Sequence, residues 1–507
     1  MKLYNKLLLG AACISLMSSC TDGFEEMNIN PNQPSDATSA QLMTTAQYNF
    51  ADNIGDEWNN GRMGMYYSQY WSSTYYTDES RYLIREGTNN AMWNQFYQDV
   101  LRELVEAQKI DADKKLPGYE NRIAIAEIFK VLTYHYLSDI YGGSIPYAEA
   151  LNNDIASPVY NSGPEIYAGL LSTLEEQIAA LDESKPSFTS GDIIYGGDVS
   201  KWKKFANSLR LRIALRMIDA NESAAVTAIS KSLNPANGGI IMSNSESAEF
   251  RWIDGAPNNN PLNQAFKTRI DFSVSAPFVD YLKKYNDPRL AVYADPLNNN
   301  GTPILDANGK LQYVGETYGL DAGEGNSNGN TKVVSLPSDY LIGATSPTVI
   351  LNYAEVEFML AEIAARNLGV SVSGTAQEHY AKGIKASFDN AGLSNDAYVQ
   401  YLANVPYVAT NLETALDAIG SQKWIAMYGQ GIQGWLERLR LDFEDPYTGE
   451  EIFALPAEGS LDPEVDTVPF RMTYPLVEAS LNGENYKKAV QAIGGNSKGV
   501  KAWWDVK

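Results

Sequence analysis

Beyond Pro34, apolar positions recur every three to four residues over most of the chain, the spacing that turns one face of an α-helix toward a core. In residues 89–109 the stripe is Met92, Phe96, Val100, Leu104 and Ala107. In residues 123–141 it is Phe129, Leu132, Tyr136 and Ile140, and Gly142-Gly143 stops it. A third helix is predicted over 162–181, opened by Pro164 in its first turn and by a capping box of Ser162 with Glu165. Further helices are predicted over 198–218, 222–233, 350–368, 375–391 and 411–441, the last interrupted near Gly429-Gln430-Gly431, and from Pro475 onward. Thr375/Glu378 and Thr410/Glu413 supply two more capping boxes. Long helices in consecutive pairs predict a mainly α fold, a scaffold of tetratricopeptide-like helical hairpins whose repeat count the unequal loops leave open.

The pattern breaks in residues 234–346, which are rich in Asn, Gly, Pro and Ser. Asn308-Gly309, between Pro303-Ile304-Leu305 and Leu311-Gln312-Tyr313-Val314, predicts a two-residue hairpin. This loop-rich insertion, with its small β-hairpins, is expected to lie over the helices as a binding face, since loops that long in a compact protein carry function or are disordered.

The start of the chain follows a different logic. Basic Lys2 and Lys6, an apolar run over 7–17, and small Ser18 and Ser19 have the layout of a secretory signal peptide. The run is too short for the roughly 20 residues that cross a bilayer. Residues 1–19 are therefore expected to be removed. Cys20 resembles a lipobox cysteine whose acyl chains anchor the protein to a membrane; an ordinary secreted protein with a chance thiol is the alternative. Residues 20–33 read as a lipidated, polar and acidic tether, and 34–507 as one helical domain.

Composition narrows the chemistry. The two cysteines are Cys13, lost with the leader, and Cys20, consumed by lipid, so disulfides, thiolate metal sites and a cysteine nucleophile are excluded. His135 and His379 are the two imidazoles; a His-based zinc cluster is not available, and neither lies in a nucleophile motif. His135, beside Tyr134 and Tyr136, reads as a structural histidine. Loss of Lys2 and Lys6 leaves 37 basic residues against 62 acidic ones, a field that repels phosphate backbones and excludes nucleic acid as a natural partner. No Walker loop, Rossmann fingerprint or HExxH helix occurs. Arg210, Arg212 and Arg216 recur at helical spacing and are expected to pair with carboxylates of neighbouring helices. Leu320 to Asn330, with Asp321, Glu324, Asn326, Asn328 and Asn330, offers hard oxygens that could hold a structural calcium, but without the spacing of a calcium loop. A solvated turn is the simpler reading, and no other cofactor or metal is expected.

The richest recognition signal is residues 55–82, with Trp58, Tyr66, Tyr67, Tyr70, Trp71, Tyr75, Tyr76 and Tyr82 among Asn, Ser, Asp and Arg. A flat aromatic ring removes the apolar face of a sugar from water while polar neighbours satisfy its hydroxyls; peptides can use the same surface. Spacing lets Tyr66 and Tyr70 face a core. Trp71, Tyr75, Tyr76 and Asp78, at the turn into Glu79-Ser80, are the candidate ligand contacts, with packing as the alternative; Asn259 and Tyr318 are further candidates in the loop region. Trp424, Tyr428 and Trp435 fall on helical stripes and are expected in the core.

Several segments together resemble the SusD/RagB nutrient-binding outer-membrane lipoproteins of Bacteroidetes, in the SusD-like branch. They are CTDGFEEMNINPN from Cys20, AEIFKVLTYHYLSDIYGGSIPYAEAL from Ala126, IIYGGDVSKWKKFANSLRLRIALR from Ile193, NYAEVEFMLAEIAAR from Asn352, QKWIAMYGQGIQGWLERLR from Gln422, YPLVEASLNGENYKKAV from Tyr474 and KAWWD from Lys501. The resemblance implies a surface-exposed, outer-membrane lipoprotein, not an enzyme. Such a protein captures oligosaccharide or oligopeptide and delivers it to a SusC-like TonB-dependent transporter. Asp22, Glu25 and Glu26 after the cysteine look like the signal that sends such proteins to the cell exterior. No motif carries binding residues over from the family. A secreted helical glycoside hydrolase, or a structural surface lipoprotein without soluble ligand, is the alternative; nothing in the sequence marks an acid and a base at a defined separation.

Overall fold

The structure is a computed structural model and describes residues 37–323 and 325–507; the leader, Cys20, the tether and Glu324 lie outside the described residues. Helices dominate. Helix α1 (Ser39–Asn53) is opened by a Thr38/Gln41 capping box. The predicted 89–109 helix is longer, running from Glu86 through a π-helical stretch, Gln95–Leu101, into α2 (Arg102–Lys114). Then come α3 (Tyr119–Ile140), α4 (Gly163–Ala180), α5 (Val199–Arg216) and α6 (Glu222–Leu233). After the loop-rich region follow α7 (Tyr353–Arg366), α8 (Ala376–Asn390), α9 (Leu412–Ala426) and α10 (Gly431–Leu441). The Ser162/Glu165 and Thr375/Glu378 capping boxes form as expected. The third is shifted by one residue: Asn411, not Thr410, caps α9 and pairs with Thr414, because the Asn carboxamide reaches the Thr414 amide at 2.9 Å.

Sequential helices pack as hairpins: α1 on α2, α2 on α3, α3 on α4, α4 on α5, α5 on α6, and α7 on α8 and α9. Gly142 and Gly143 end α3 at φ +81° and +108°. A Cβ on Gly143 would meet the Trp503 ring at 2.3 Å, so the stop is fixed by both conformation and contact.

Charged side chains join these hairpins inside the protein. Arg212 meets Glu355 through two 2.7 Å hydrogen bonds. Arg216 contacts Asp139 at 3.0 Å and Glu437 at 2.8 Å. Glu437 also holds Lys423 and Arg440, and Arg440 forks onto Glu362 at 2.7 Å. Arg210 pairs with no carboxylate among the described residues and donates to Ser232 and Asn207 instead. His135 is fully buried but, contrary to a hydrogen-bonded structural histidine, neither ring nitrogen makes a hydrogen bond among the described residues; Nδ1 lies 3.6 Å from the Asp139 carboxylate. Burial, with Arg216 and Arg212 nearby, drives its pKa well below the usual histidine value and keeps it neutral.

The 234–346 region carries short elements on this scaffold. Strand β1 (Trp71–Ser73) pairs antiparallel with β3 (Phe272–Val274), Trp71 opposite Val274. Strand β2 (Ala248–Phe250) pairs antiparallel with β4 (Thr348–Leu351). The two-residue hairpin lies at Asn300-Gly301, between Asn298–Asn299 and Thr302–Pro303, not at Asn308-Gly309. Asn300 and Gly301 both have positive φ, as a type I′ turn requires. Around Asn308 the reversal is wider, because the Asp306 carboxylate accepts the Asn308 and Lys310 amides.

Candidate functional site

The site begins with a π-helical segment, Glu57–Gly64, opened by the Asp56 side chain accepting the Asn59 amide at 2.6 Å. It packs against α10 through glycines: a Cβ on Gly64 would lie 2.5 Å from the Ile432 amide nitrogen, and one on Gly431 2.4 Å from that of Met65. Trp58 projects outward and Arg62 inward from this segment. The chain then enters β1, and its ladder continues past Ser73, where Thr74 donates to the Asp271 and Ile270 carbonyls. That pairing sets Tyr75 and Tyr76 beside Arg269, which precedes β3 by three residues.

Three large rings are thereby left open: Trp58 is 36%, Tyr75 46% and Tyr76 37% exposed. Tyr75 and Tyr76 meet edge to face at 5.4 Å. Three guanidiniums frame them. Arg62, buried, lies 4.7 Å from the Trp58 ring centre and 5.2 Å from that of Tyr76. Arg85 sits 5.8 Å and 5.6 Å from the same two rings. Arg269 sits 4.5 Å from Tyr75 and 4.3 Å from Tyr76.

Each guanidinium is neutralised in place. Arg62 contacts Glu57 at 2.8 Å, Asp271 at 2.6 Å and Glu79 at 3.8 Å. Arg269 forks onto Asp271, which holds its pKa above the ordinary arginine value. Arg85 lies 3.7 Å from Glu79, whose carboxyl is held above its ordinary range by burial, although Arg62 draws it down. Beneath the rings three cations and three carboxylates balance, which leaves the Asp78 carboxylate, among the described residues, as the unpaired charge at their edge.

Asp78 is exposed at the edge of the same turn and makes no ion pair among the described residues. Asp321 holds the turn from the loop region, accepting the Thr77 hydroxyl at 3.2 Å and facing Arg81 at 3.5 Å. Of the oxygens proposed for calcium, Asn326 Oδ1 accepts the Asn328 amide and Asn330 Oδ1 that of Lys332.

Three of the candidate residues are placed elsewhere. Trp71 is completely buried, its indole donating to the Tyr428 hydroxyl at 3.0 Å and its ring packed against Phe266 and Phe272. Both faces of β1 are covered, so strand alternation exposes none of its residues. Tyr318 is buried against Tyr82. Asn259 is buried with its amide on Asn263. These are packing residues. Arg62, Arg85 and Arg269 are the additions, with Trp58, which the 55–82 segment includes but the candidate contacts did not.

A family model named SusD-like, described as starch-binding and associating with outer membrane, matches residues 31–475. Among solved structures, a chitin-binding protein shares 28% identity at a TM-score of 0.79, covering 93% of this chain and 100% of its own. A chitin-binding SusD homologue from Flavobacterium johnsoniae shares 24% identity at a TM-score of 0.78, over 92% and 99%. A SusD homologue from Bacteroides thetaiotaomicron shares 24% at a TM-score of 0.75, over 93% and 100%. No curated protein matches the chain. Among the described residues no helix is long and apolar enough to cross a membrane.

Proposed function

This chain belongs to the SusD-like family of starch-binding, outer-membrane-associated proteins, and on that premise we propose that it captures a neutral oligosaccharide on the Trp58, Tyr75 and Tyr76 rings and delivers it to a partner transporter. The observation that carries this is the frame beneath the rings: three aromatics open to solvent, each within reach of a guanidinium that is itself paired with a carboxylate. Sugar rings carry apolar C–H faces, and stacking them on fixed aromatics removes those faces from water at low entropic cost. A charge-balanced frame favours a neutral chain over a uronate or sulfated one. Asp78, exposed at the rim, is placed to accept a hydroxyl.

The likeness to a 28% identical chitin-binding protein supports a β-linked N-acetylhexosamine polymer as one ligand class, and the starch-binding description of the family supports an α-glucan as another. Cys20 is the proposed acylation site, tethering the protein to the outer face of the outer membrane. A SusC-like TonB-dependent barrel is the proposed recipient of the glycan. The action is binding without turnover. Incubation of the purified protein with maltooligosaccharides and chitooligosaccharides, followed by chromatography of the sugars, tests it: retention of an unaltered chain is expected, and shortened products would contradict it.

A further inference from the structure

On another side of the Glu57–Gly64 segment lies a cavity of about 440 Å³, a size that holds small ligands. Gly55 and Asn60 form one wall, the α9–α10 link Tyr428-Gly429-Gln430 a second, and β2 and β4 a third. Its lining carries six carboxamides, Asn60, Asn244, Asn260, Asn352, Asn390 and Gln430, and three of these are already committed. Asn60 bonds the Gly429 carbonyl and the Gly431 amide, each at 3.0 Å. Asn260 caps Leu262 and holds the Ser346 carbonyl. Asn352 caps α7 through the Glu355 amide.

Of the other three, Asn390 is exposed, and two keep a buried acceptor free. Gln430 is 7% exposed, and its Oε1 is buried with no partner among the described residues. Asn244 spends its amide on the Ala386 carbonyl, leaving Oδ1 buried without a partner among the described residues. Native proteins rarely leave such acceptors unsatisfied. Both are oxygens, so what satisfies them is a donor: a hydroxyl or an N–H. Glu249, the carboxylate of the lining, faces Arg251 at 3.2 Å, so the cavity offers no unbalanced charge to an ion.

We propose that this cavity is a second binding site, separate from the aromatic surface, for a small neutral polyhydroxy molecule of single-sugar size. A turn of the Gln430 and Asn244 carboxamides presents their oxygens, buried in this structure, to its hydroxyls, and Tyr428, itself held by the Trp71 indole, walls the pocket.

The test is isothermal titration of the full mature chain with D-glucose, N-acetyl-D-glucosamine and myo-inositol, each alone. At least one probe is expected to bind. Gln430→Met, which keeps side-chain length and removes the acceptor, should weaken that binding by roughly tenfold or more. Asn390→Trp, at an exposed position of the lining, should plug the pocket and do the same, with circular dichroism confirming that both variants fold. The Trp58→Ala/Tyr75→Ala/Tyr76→Ala variant should bind the same probe unchanged. Absence of binding by all three probes, binding that survives both pocket variants, or binding lost with the aromatic rings would each overturn the proposal. Pocket binding that persists while longer glycans fail to bind would instead overturn the function proposed for the aromatic surface alone.

Discussion

The guanidinium of Arg269 lies 4.3 Å from the ring centre of Tyr76, although 193 residues of chain separate them. The β1–β3 ladder brings them together, and the fork of Arg269 onto Asp271 fixes the angle at which it meets the ring. Arg269 thus acts as a positioning residue for the exposed tyrosines. Arg269→Leu is expected to weaken glycan binding by roughly two- to fivefold. The melting temperature should stay close to wild type, as judged by calorimetry beside affinity electrophoresis. Unchanged affinity would mean that the rings hold their orientation without it.

Charge balance across the frame has a consequence for salt. Because Arg62, Arg85 and Arg269 face Glu57, Glu79 and Asp271, little net field reaches the ligand. Affinity for a neutral glycan is expected to change less than about twofold between dilute buffer and roughly 1 M sodium chloride. A steep fall with salt would point to an anionic ligand.

Trp71 illustrates where the sequence is ambiguous. Its neighbours in sequence are those of a recognition loop, yet Phe266, Phe272 and Tyr428, far away in the chain, enclose it. Trp71→Ala removes a whole buried ring and is expected to cost about 3–5 kcal/mol of stability, measured by urea unfolding. A loss below about 1 kcal/mol would show that the site collapses around the gap.

Local signals were legible: helical stripes and capping boxes act within four residues, and the predicted helices stand within a few residues of their observed ends. The shift of the α9 cap from Thr410 to Asn411 shows the limit, since both residues can cap and only the local geometry chooses. Tyr75 and Tyr76 were legible as candidates because a turn follows them. The arginine frame was not, because its members come from residues 62, 85 and 269 and meet only in the folded chain. The same holds for the cavity, whose walls join segments from Gly55 to Gln430.

The interior charge network sets an acid limit. Burial alone would raise the Glu362 carboxyl, but Arg440 and Arg366 outweigh it and hold the pKa down to about 2. A carboxylate whose folded pKa lies below its unfolded value contributes stability that is present above the unfolded value, about 4.3, and is lost as pH falls toward 2. Glu362→Gln is therefore expected to lose about 3–5 kcal/mol at neutral pH, where it leaves Arg440 short of a partner. The gap from wild type should narrow as pH drops below about 4. A gap that stays constant with pH, in denaturant melts across that range, would show that Glu362 is not charged in the folded protein.

The central claim is that Trp58, Tyr75 and Tyr76 form the glycan-binding surface. Calorimetric titration of the Trp58→Ala/Tyr75→Ala/Tyr76→Ala protein with maltooligosaccharides and chitooligosaccharides, beside wild type, tests it most directly. The account predicts heat of binding for at least one series with wild type and a loss of affinity of at least roughly tenfold in the triple variant, which remains folded. Equal affinity in the two proteins would contradict it.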